Sequence, residues 1–148
     1  MKAVFIVLFS ILFPMESLCS RDNTGNINII VTGFKNTSGK AGITLFSKEK
    51  GFPMKADLAA EKFFTDIEQS SCTVVLRNIP YGKYAVSVFH DENSNGKVDT
   101  NIIGMPKEGV GASNNPKGRF GPPKYKDASF VLDSDEKQVN ITIQYLKK

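Results

Sequence analysis

Short segments in which apolar and polar residues alternate recur along most of this sequence, and this pattern constrains the fold more than any other feature. In a strand that is buried on one face, successive side chains point to opposite faces, so a period of two predicts a β-strand. The alternating segments are 26–32, 40–47, 72–77, 83–90, 128–132 and 138–145. They predict an all-β domain of six or seven strands, an antiparallel two-sheet sandwich of immunoglobulin or transthyretin-like type, with a barrel as the alternative.

Two parts of the chain interrupt this pattern. Residues 54–64 are rich in Ala, Leu, Glu and Lys, so we expect a short surface helix or an irregular crossover there. Residues 100–126 contain many glycines and prolines, which predicts one long Gly/Pro-rich loop. Loops of this length are uncommon in compact domains and tend to be functional or disordered.

Residues 91–99 carry side-chain oxygens at alternate positions, followed by a glycine and another acid, which is typical of loops that wrap a hard cation. The ligands of such a calcium-type loop would be the side chains of Asp91, Asn93, Asn95 and Asp99 and the backbone carbonyl of Lys97. Position twelve, where an EF-hand has a bidentate glutamate, is Ile102, and no helical pattern flanks the loop. We therefore expect a strand-borne and weaker calcium site, or alternatively a plain polar hairpin turn.

Residues 1–20 have the features of an export signal. Lys2 gives a charged start, residues 3–13 are apolar, and residues 17–19 resemble a small-residue cleavage site. The apolar run is well short of the ~20 residues that span a bilayer, so a retained membrane anchor is the weaker alternative. Lipidation at Cys19 is a third possibility, although a leucine precedes it where a lipobox has a small residue. We therefore expect export to the periplasm or the cell exterior, with residues 21–148 forming a single domain without a membrane span.

The net charge of the full chain is +4, and the charged residues, 23% of the total, are spread along the sequence. This balance argues for ordinary solubility rather than for nucleic-acid binding, which needs a clustered basic stripe. Once residues 1–20 are removed, Cys72 is the remaining cysteine, so no internal disulfide is possible. Cys72 belongs to the inward set of a predicted strand, so we expect a buried and unreactive thiol.

His90 is the single histidine of the chain and directly precedes the loop, at the end of a predicted strand. An enzyme that uses His90 with Asp91 or Glu108 for acid-base chemistry is one alternative function. The other interpretation is structural: His90 ties the loop to the sheet, and Gln could replace it without loss of the fold. Zinc would need more His or Cys ligands, and no Gly-x-Ser-x-Gly nucleophile elbow is present, so we expect no enzymatic activity.

The long loop combines positive charges with aromatic residues: Lys107, Lys117, Arg119, Lys124, Lys126, Phe120 and Tyr125. Together with His90 and Glu108, such residues could form a pocket for an anionic or carbohydrate ligand. Alternatively, the loop is a solvated surface, and Phe120 packs into the core as part of a rigid Phe-Gly-Pro-Pro elbow.

Several of these segments together resemble an uncharacterised bacterial family of small exported proteins. They are HDENSNGKVDTN at 90–101, GMPKEG at 104–109, SNN at 113–115 and FGPP at 120–123, with GFP at 51–53 and PYGKYAV at 80–86. The resemblance covers most of the chain after the export signal and implies an exported single-domain β protein of unassigned activity. Separately, the Asp-x-Asn-x-Asn-Gly-x-x-Asp loop is loosely similar to calcium-binding β-sandwich repeats of bacterial surface adhesins, a likeness that covers the loop alone.

The sequence therefore favours a non-enzymatic exported β-sandwich, a binding or structural module in which the calcium-type loop pins residues 100–126 against one end of the sandwich. The sequence does not identify its partner, and we expect an envelope polymer or a surface protein. The alternatives are the His90 enzyme and an envelope carbohydrate binder that uses the long loop.

Overall fold

The computed structural model describes residues 23–117 and 121–146, which form two β-sheets packed face to face. The strands are β1 Thr24–Thr32, β2 Lys40–Phe46, β3 Glu61–Thr65, β4 Ser71–Pro80, β5 Gly82–Asp91, β6 Val110–Ala112, β7 Phe130–Leu132 and β8 Glu136–Thr142. One sheet has the order β4-β1-β8, and the other has the order β3-β2-β5-β6, with β7 also paired to β5. The expectation of an all-β two-sheet sandwich is therefore confirmed.

The described residues form eight strands rather than six or seven, because two further strands lie where the sequence predicted none. The segment 54–64 holds a 3-10 turn at Ala56–Leu58 and then β3, which pairs with the edge of β2. Pairing and the aromatic residues of β3 outweigh the helix-forming composition of this segment. Strand β6 lies inside the long Gly/Pro-rich segment. The described residues contain one short α-helix, α1, Tyr125–Ala128. No helix among them is long and apolar enough to cross a membrane.

One strand pair departs from the antiparallel arrangement that the sequence predicted. Strands β1 and β8 run parallel, from the pair Asn26 and Glu136 to the pair Thr32 and Thr142, whereas the other strand pairs are antiparallel. A parallel pair needs a long connection between its strands. Here nearly the whole domain separates the two strands, so local patterns carried no information about their direction.

The core between the sheets includes the inward sets of β1, β2, β5, β7 and β8: Ile27, Ile29, Val31, Ile43, Leu45, Val86, Val88, Phe130, Leu132, Val139 and Ile141. These side chains are those that the period-two pattern placed inward. Cys72 is also buried, as expected, and its burial raises the pKa of the thiol to about 11. At neutral pH it is therefore an uncharged and unreactive group.

The outer face of the five-stranded sheet is covered as well, so that β5 is buried at nearly every position. Residues Ala85, Ala112 and Ala128 pack there against Phe52 and Tyr125. The segment after β6 is fixed to the other sheet by Asn115, which accepts a hydrogen bond from Thr142 N at 2.8 Å and donates one to Asn140 O at 3.1 Å. The described residues of the long segment therefore form an ordered layer over the outer face of this sheet.

Candidate functional site

The last two residues of β5, His90 and Asp91, lie at one end of the sandwich and are buried, with exposed fractions of 0% and 1%. His90 continues the inward set of β5, while Asp91 begins the loop. The turn before β2 lies against the Asp91 carbonyl so closely that Gly39, at φ +68°, leaves no space for a side chain. Both polar residues are therefore enclosed by the segments that meet at this end.

Both ring nitrogens of His90 are hydrogen-bonded. Nε2 lies 2.7 Å from the carbonyl oxygen of Ser38, an acceptor, so Nε2 carries the proton. Nδ1 then accepts from the hydroxyl of Tyr145 at 2.7 Å, and the Tyr145 oxygen accepts in turn from Lys35 N at 3.1 Å. Phe34 contacts the imidazole edge to face, with ring centroids 5.3 Å apart. His90 therefore joins three distant segments and has no free nitrogen at the surface.

An ion pair lies on the solvent side of this cluster. Lys35 Nζ is 2.7 Å from a carboxylate oxygen of Glu92 and 5.0 Å from the centre of the Tyr145 ring. The hydrogen bond to Glu92 is the main cause that raises the pKa of Lys35, while burial raises the pKa of the Tyr145 hydroxyl. The hydroxyl therefore stays protonated at neutral pH and remains a donor to His90.

In the loop 91–99, the side-chain oxygens accept hydrogen bonds from backbone amides. Asp91 accepts from Asn95 N at 3.0 Å and from Gly96 N at 2.8 Å. Asn93 Oδ1 accepts from Asn95 N at 3.1 Å, and Asn95 Oδ1 accepts from Lys97 N at 2.8 Å. Gly96, at φ +76°, makes the sharp turn that the sequence assigned to it. The loop thus has the internal bonding of a polar turn.

The amide groups of the two asparagines converge on Asp99. Asn93 Nδ2 donates to one carboxylate oxygen at 2.8 Å, and Asn95 Nδ2 donates to the other at 3.0 Å. The sequence predicted that these three side chains and Asp91 lie together, and the structure places them in one network. The amide oxygens, however, face the backbone, and the amide hydrogens face the acid.

Glu108 accepts hydrogen bonds from both ends of the loop, a role that the sequence did not predict. Its exposed fraction is 5%, and its two carboxylate oxygens accept from Glu92 N at 3.0 Å and from Asp99 N at 2.9 Å. Lys107 N also donates to Asp99 O at 2.8 Å. Glu108 thereby bridges the two ends of the loop. Because Ile102 stands at position twelve, where an EF-hand has a glutamate, a search for an acidic residue later in the sequence could have found Glu108.

The predicted metal set has two carboxylates, so its other ligands would have to be neutral oxygens. In the part of the chain that the structure describes, no three His, Cys, Asp or Glu side chains are grouped closely enough to hold a metal ion. A cation at this loop would need the amide oxygens of Asn93 and Asn95 and the carbonyl of Lys97, which hard cations such as calcium accept. Rotation of the two amide groups about their last side-chain bond would turn those oxygens toward Asp99.

The residues assigned to a ligand pocket in the long loop do not form one surface. His90 and Glu108 are buried at the loop end, whereas Tyr125 packs on Phe52 and donates its hydroxyl proton to Lys83 O at 3.0 Å. Lys107 and Lys117 are exposed to solvent. Arg119 and Phe120 lie outside the described residues, as do the predicted export signal and Cys19.

An apolar groove of about 450 Å³ lies on the outer face of β5 and β6, and the sequence reasoning missed it. Its walls come from separate stretches of chain, around residues 53–54, 103–106, 115–116, 121–123 and 142–146, whose proximity no sequence pattern predicts. A visible hint was the recurrence of the Pro-Lys pair at 106–107, 116–117 and 123–124.

The fold and the site define a small β-sandwich domain with a polar loop clasped at one end. The chain belongs to a bacterial family described as an uncharacterised protein conserved in bacteria (DUF2141), whose family model matches residues 29–140. The match includes the loop, Glu108 and the long segment, and it confirms the resemblance to a bacterial family of unassigned function. Neither the curated proteins nor the solved structures include a match to this chain.

Proposed function

We propose that the protein is an exported, non-catalytic β-sandwich module in which the loop 91–99 binds a calcium ion and so fastens the following segment to the end of the sandwich. One observation carries the proposal: Asp91, Asp99 and Glu108 all accept hydrogen bonds at this loop, and none of them forms an ion pair with a described Lys or Arg. Asp91 and Glu108 are buried, whereas Asp99 is partly exposed. Buried carboxylates without a counter-charge are costly, and a bound cation would lower that cost.

The geometry suggests how calcium would enter. The two asparagine NH₂ groups now supply the partial positive charge that faces Asp99. If both amides rotate, their oxygens join Asp91, Asp99 and the Lys97 carbonyl, and water completes the six to eight ligands that calcium takes. Two acids and several neutral ligands correspond to a weak site, on the order of 0.1 to 1 mM, as in extracellular modules.

A non-catalytic role is supported by the surroundings of the groups that acid-base or nucleophilic chemistry would require. His90 has an exposed fraction of 0% and uses both nitrogens, and Cys72 is a buried thiol with a raised pKa. A substrate would have to displace the Tyr145 and Ser38 contacts to reach the imidazole. These groups therefore serve the fold better than they would serve a reaction.

The exported location rests on the sequence of residues 1–20, and the similarity of the loop to calcium-binding repeats of surface adhesins is consistent with it. A medium outside the cytoplasm can be rich enough in calcium to fill a weak site. An envelope polymer or a surface protein is the proposed partner of such a module.

Calorimetry and thermal melting with calcium and with a chelator test the ion. For a site near ~0.1 mM in ~10 mM calcium, the folded state gains about 2.7 kcal/mol, or about 10 °C in melting temperature. Asp99→Asn should abolish most of this gain because it removes one of two coordinating charges.

Asp133→Asn is the matched control, since Asp133 is exposed and follows Leu132, which pairs with Gly82 at the start of β5, the end of the sandwich opposite to the loop. It should leave the calcium response unchanged. Identical melting of the wild type with calcium and with chelator, together with no heat of binding up to ~10 mM, would leave the loop as a plain turn and end the proposal.

A further inference from the structure

The groove on the outer face of β5 and β6 is apolar and preformed. Its floor includes Phe89 and Val110, and no Asp, Glu, Lys, Arg or His is among its described lining residues. Five lining residues are prolines, Pro53, Pro106, Pro116, Pro122 and Pro123. Proline fixes its own backbone torsion, so walls built this way lose little conformational freedom when a ligand binds. The volume of about 450 Å³ lies in the range of small-molecule sites.

Large apolar side chains are exposed at the mouth of this groove. Among its lining residues, Met54, Ile103, Met105 and Leu146 have exposed fractions of 43%, 73%, 42% and 47%. Single exposed apolar residues are ordinary on protein surfaces, but several around one concave site mark a surface that an apolar ligand covers.

Four exposed lysines adjoin this apolar lining in the sequence, and we call them the rim lysines. Each wall segment leads directly into an exposed lysine: Met54 into Lys55, Pro106 into Lys107, Pro116 into Lys117 and Pro123 into Lys124. Among the described residues, the ion pairs formed by lysines involve Lys35 and Lys40, so none of the four rim lysines is paired. An apolar slot with a cationic rim is complementary to a ligand that has an apolar tail and an anionic head.

An extended peptide is a poorer fit, because the free edge of β6 is already used. Val110 N donates to Gln144 O at 2.9 Å and Gln144 N donates to Val110 O at 2.9 Å, so a peptide strand cannot add there. A sugar would need several free polar groups, whereas Asn115, one of the few polar lining residues, is already bonded to β8.

We propose that this groove binds a single-chain anionic amphiphile, with the acyl chain along the slot and the carboxylate or phosphate head at the lysine rim. None of the proposed calcium ligands lines the groove, although Val98 and residues 103–106 connect the groove to the loop, so the two proposals are tested separately. Each methylene that enters the groove should tighten binding up to about fourfold, and the gain should stop when the groove is full. Rising salt should weaken binding because the rim lysines are exposed.

The experiment is displacement of a fluorescent fatty acid from the purified protein by straight-chain carboxylates of eight to sixteen carbons, below their micelle concentrations. Dodecanoate should compete at least tenfold better than dodecanol or dodecyltrimethylammonium. Every titration is run with calcium and with chelator, so that a failed calcium response and a failed amphiphile response are seen separately.

Two neighbouring residues supply a matched pair of variants. Ile103→Asp places a negative charge in the lining and should weaken dodecanoate binding at least tenfold, whereas Ile102→Asp, at a fully exposed position outside the lining, should change it less than twofold. Lys117→Gln and Lys124→Gln should each weaken binding and lower its salt dependence, and Lys137→Gln on β8 should do neither. Both aspartate variants should unfold like the wild type, because both positions are exposed.

The proposal is overturned if no chain length gives saturable displacement, or if Ile102→Asp and Ile103→Asp weaken binding equally. It is also overturned if the neutral and cationic amphiphiles compete as well as dodecanoate. Concentration-dependent dimerisation that Ile103→Asp abolishes, without amphiphile binding, would instead assign the groove to contact with a second copy of the chain.

Discussion

The hydroxyl of Tyr145 lies 2.7 Å from Nδ1 of His90, and this contact joins the segment after β8 to the end of β5. Because Tyr145 also accepts from Lys35 N, one hydroxyl serves two partners that are far apart in the sequence. The end of the sandwich that carries the loop is thus held by a side-chain network in addition to the strand pairing.

His90→Gln and Tyr145→Phe should each lower the free energy of unfolding by about 1 to 3 kcal/mol, because each leaves a buried polar atom without a partner. The sequence alone suggested that Gln could replace His90 harmlessly, and the full burial of the ring changes that expectation. Urea unfolding of both single variants and the double variant gives the coupling energy. A double variant whose loss equals the sum of the single losses would contradict a direct bond between these side chains.

Glu108→Gln should destabilise the fold by about 1 to 3 kcal/mol in the presence of chelator. A glutamine offers one acceptor oxygen and turns an NH₂ group toward a second backbone N–H, so one end of the loop loses its partner. Glu136→Gln, at an exposed position on β8, makes the same chemical change and should cost little. Equal melting temperatures of the two variants would show that the bridge between Glu92 and Asp99 is not needed.

The thiol of Cys72 should make stability depend on pH above the neutral range. Its pKa is raised from 9.0 to about 11 in the folded state, so between these values the unfolded chain loses a proton that the folded chain keeps. Fewer protons are then bound in the unfolded state, and stability must fall as the pH rises through this window. Urea unfolding at several pH values should show a steeper fall for the wild type than for Cys72→Ala, and parallel curves would refute the assignment.

The period-two pattern predicted the core, because the inward sets of β1, β2 and β5 follow from local alternation alone. Strand β6 has three residues, and β3 lies in a segment of helix-forming composition, so their pairing partners rather than their own sequences determine them. The parallel direction of β8 depends on the path of the whole chain, which no local pattern encodes.

The loop could be recognised from spacing because Asp91, Asn93, Asn95 and Asp99 are close in sequence. Glu108 and Tyr145 reach the same end of the molecule from distant segments, so their contacts with Asp99 and His90 required the fold. The apolar groove required it too, since its walls come from stretches that share no motif except the recurring Pro-Lys pair.

Because β1 and β8 are parallel, the described chain begins at one end of the sandwich and ends at the other. Asn23, whose carbonyl accepts from Tyr81 N, lies at the start of β5, whereas the loop 91–99 and Tyr145 lie beyond its far end. A strand of this length spans about 30 Å. A surface or partner attached before Asn23 would therefore lie at the end of the sandwich opposite to the loop, and the loop would stay accessible.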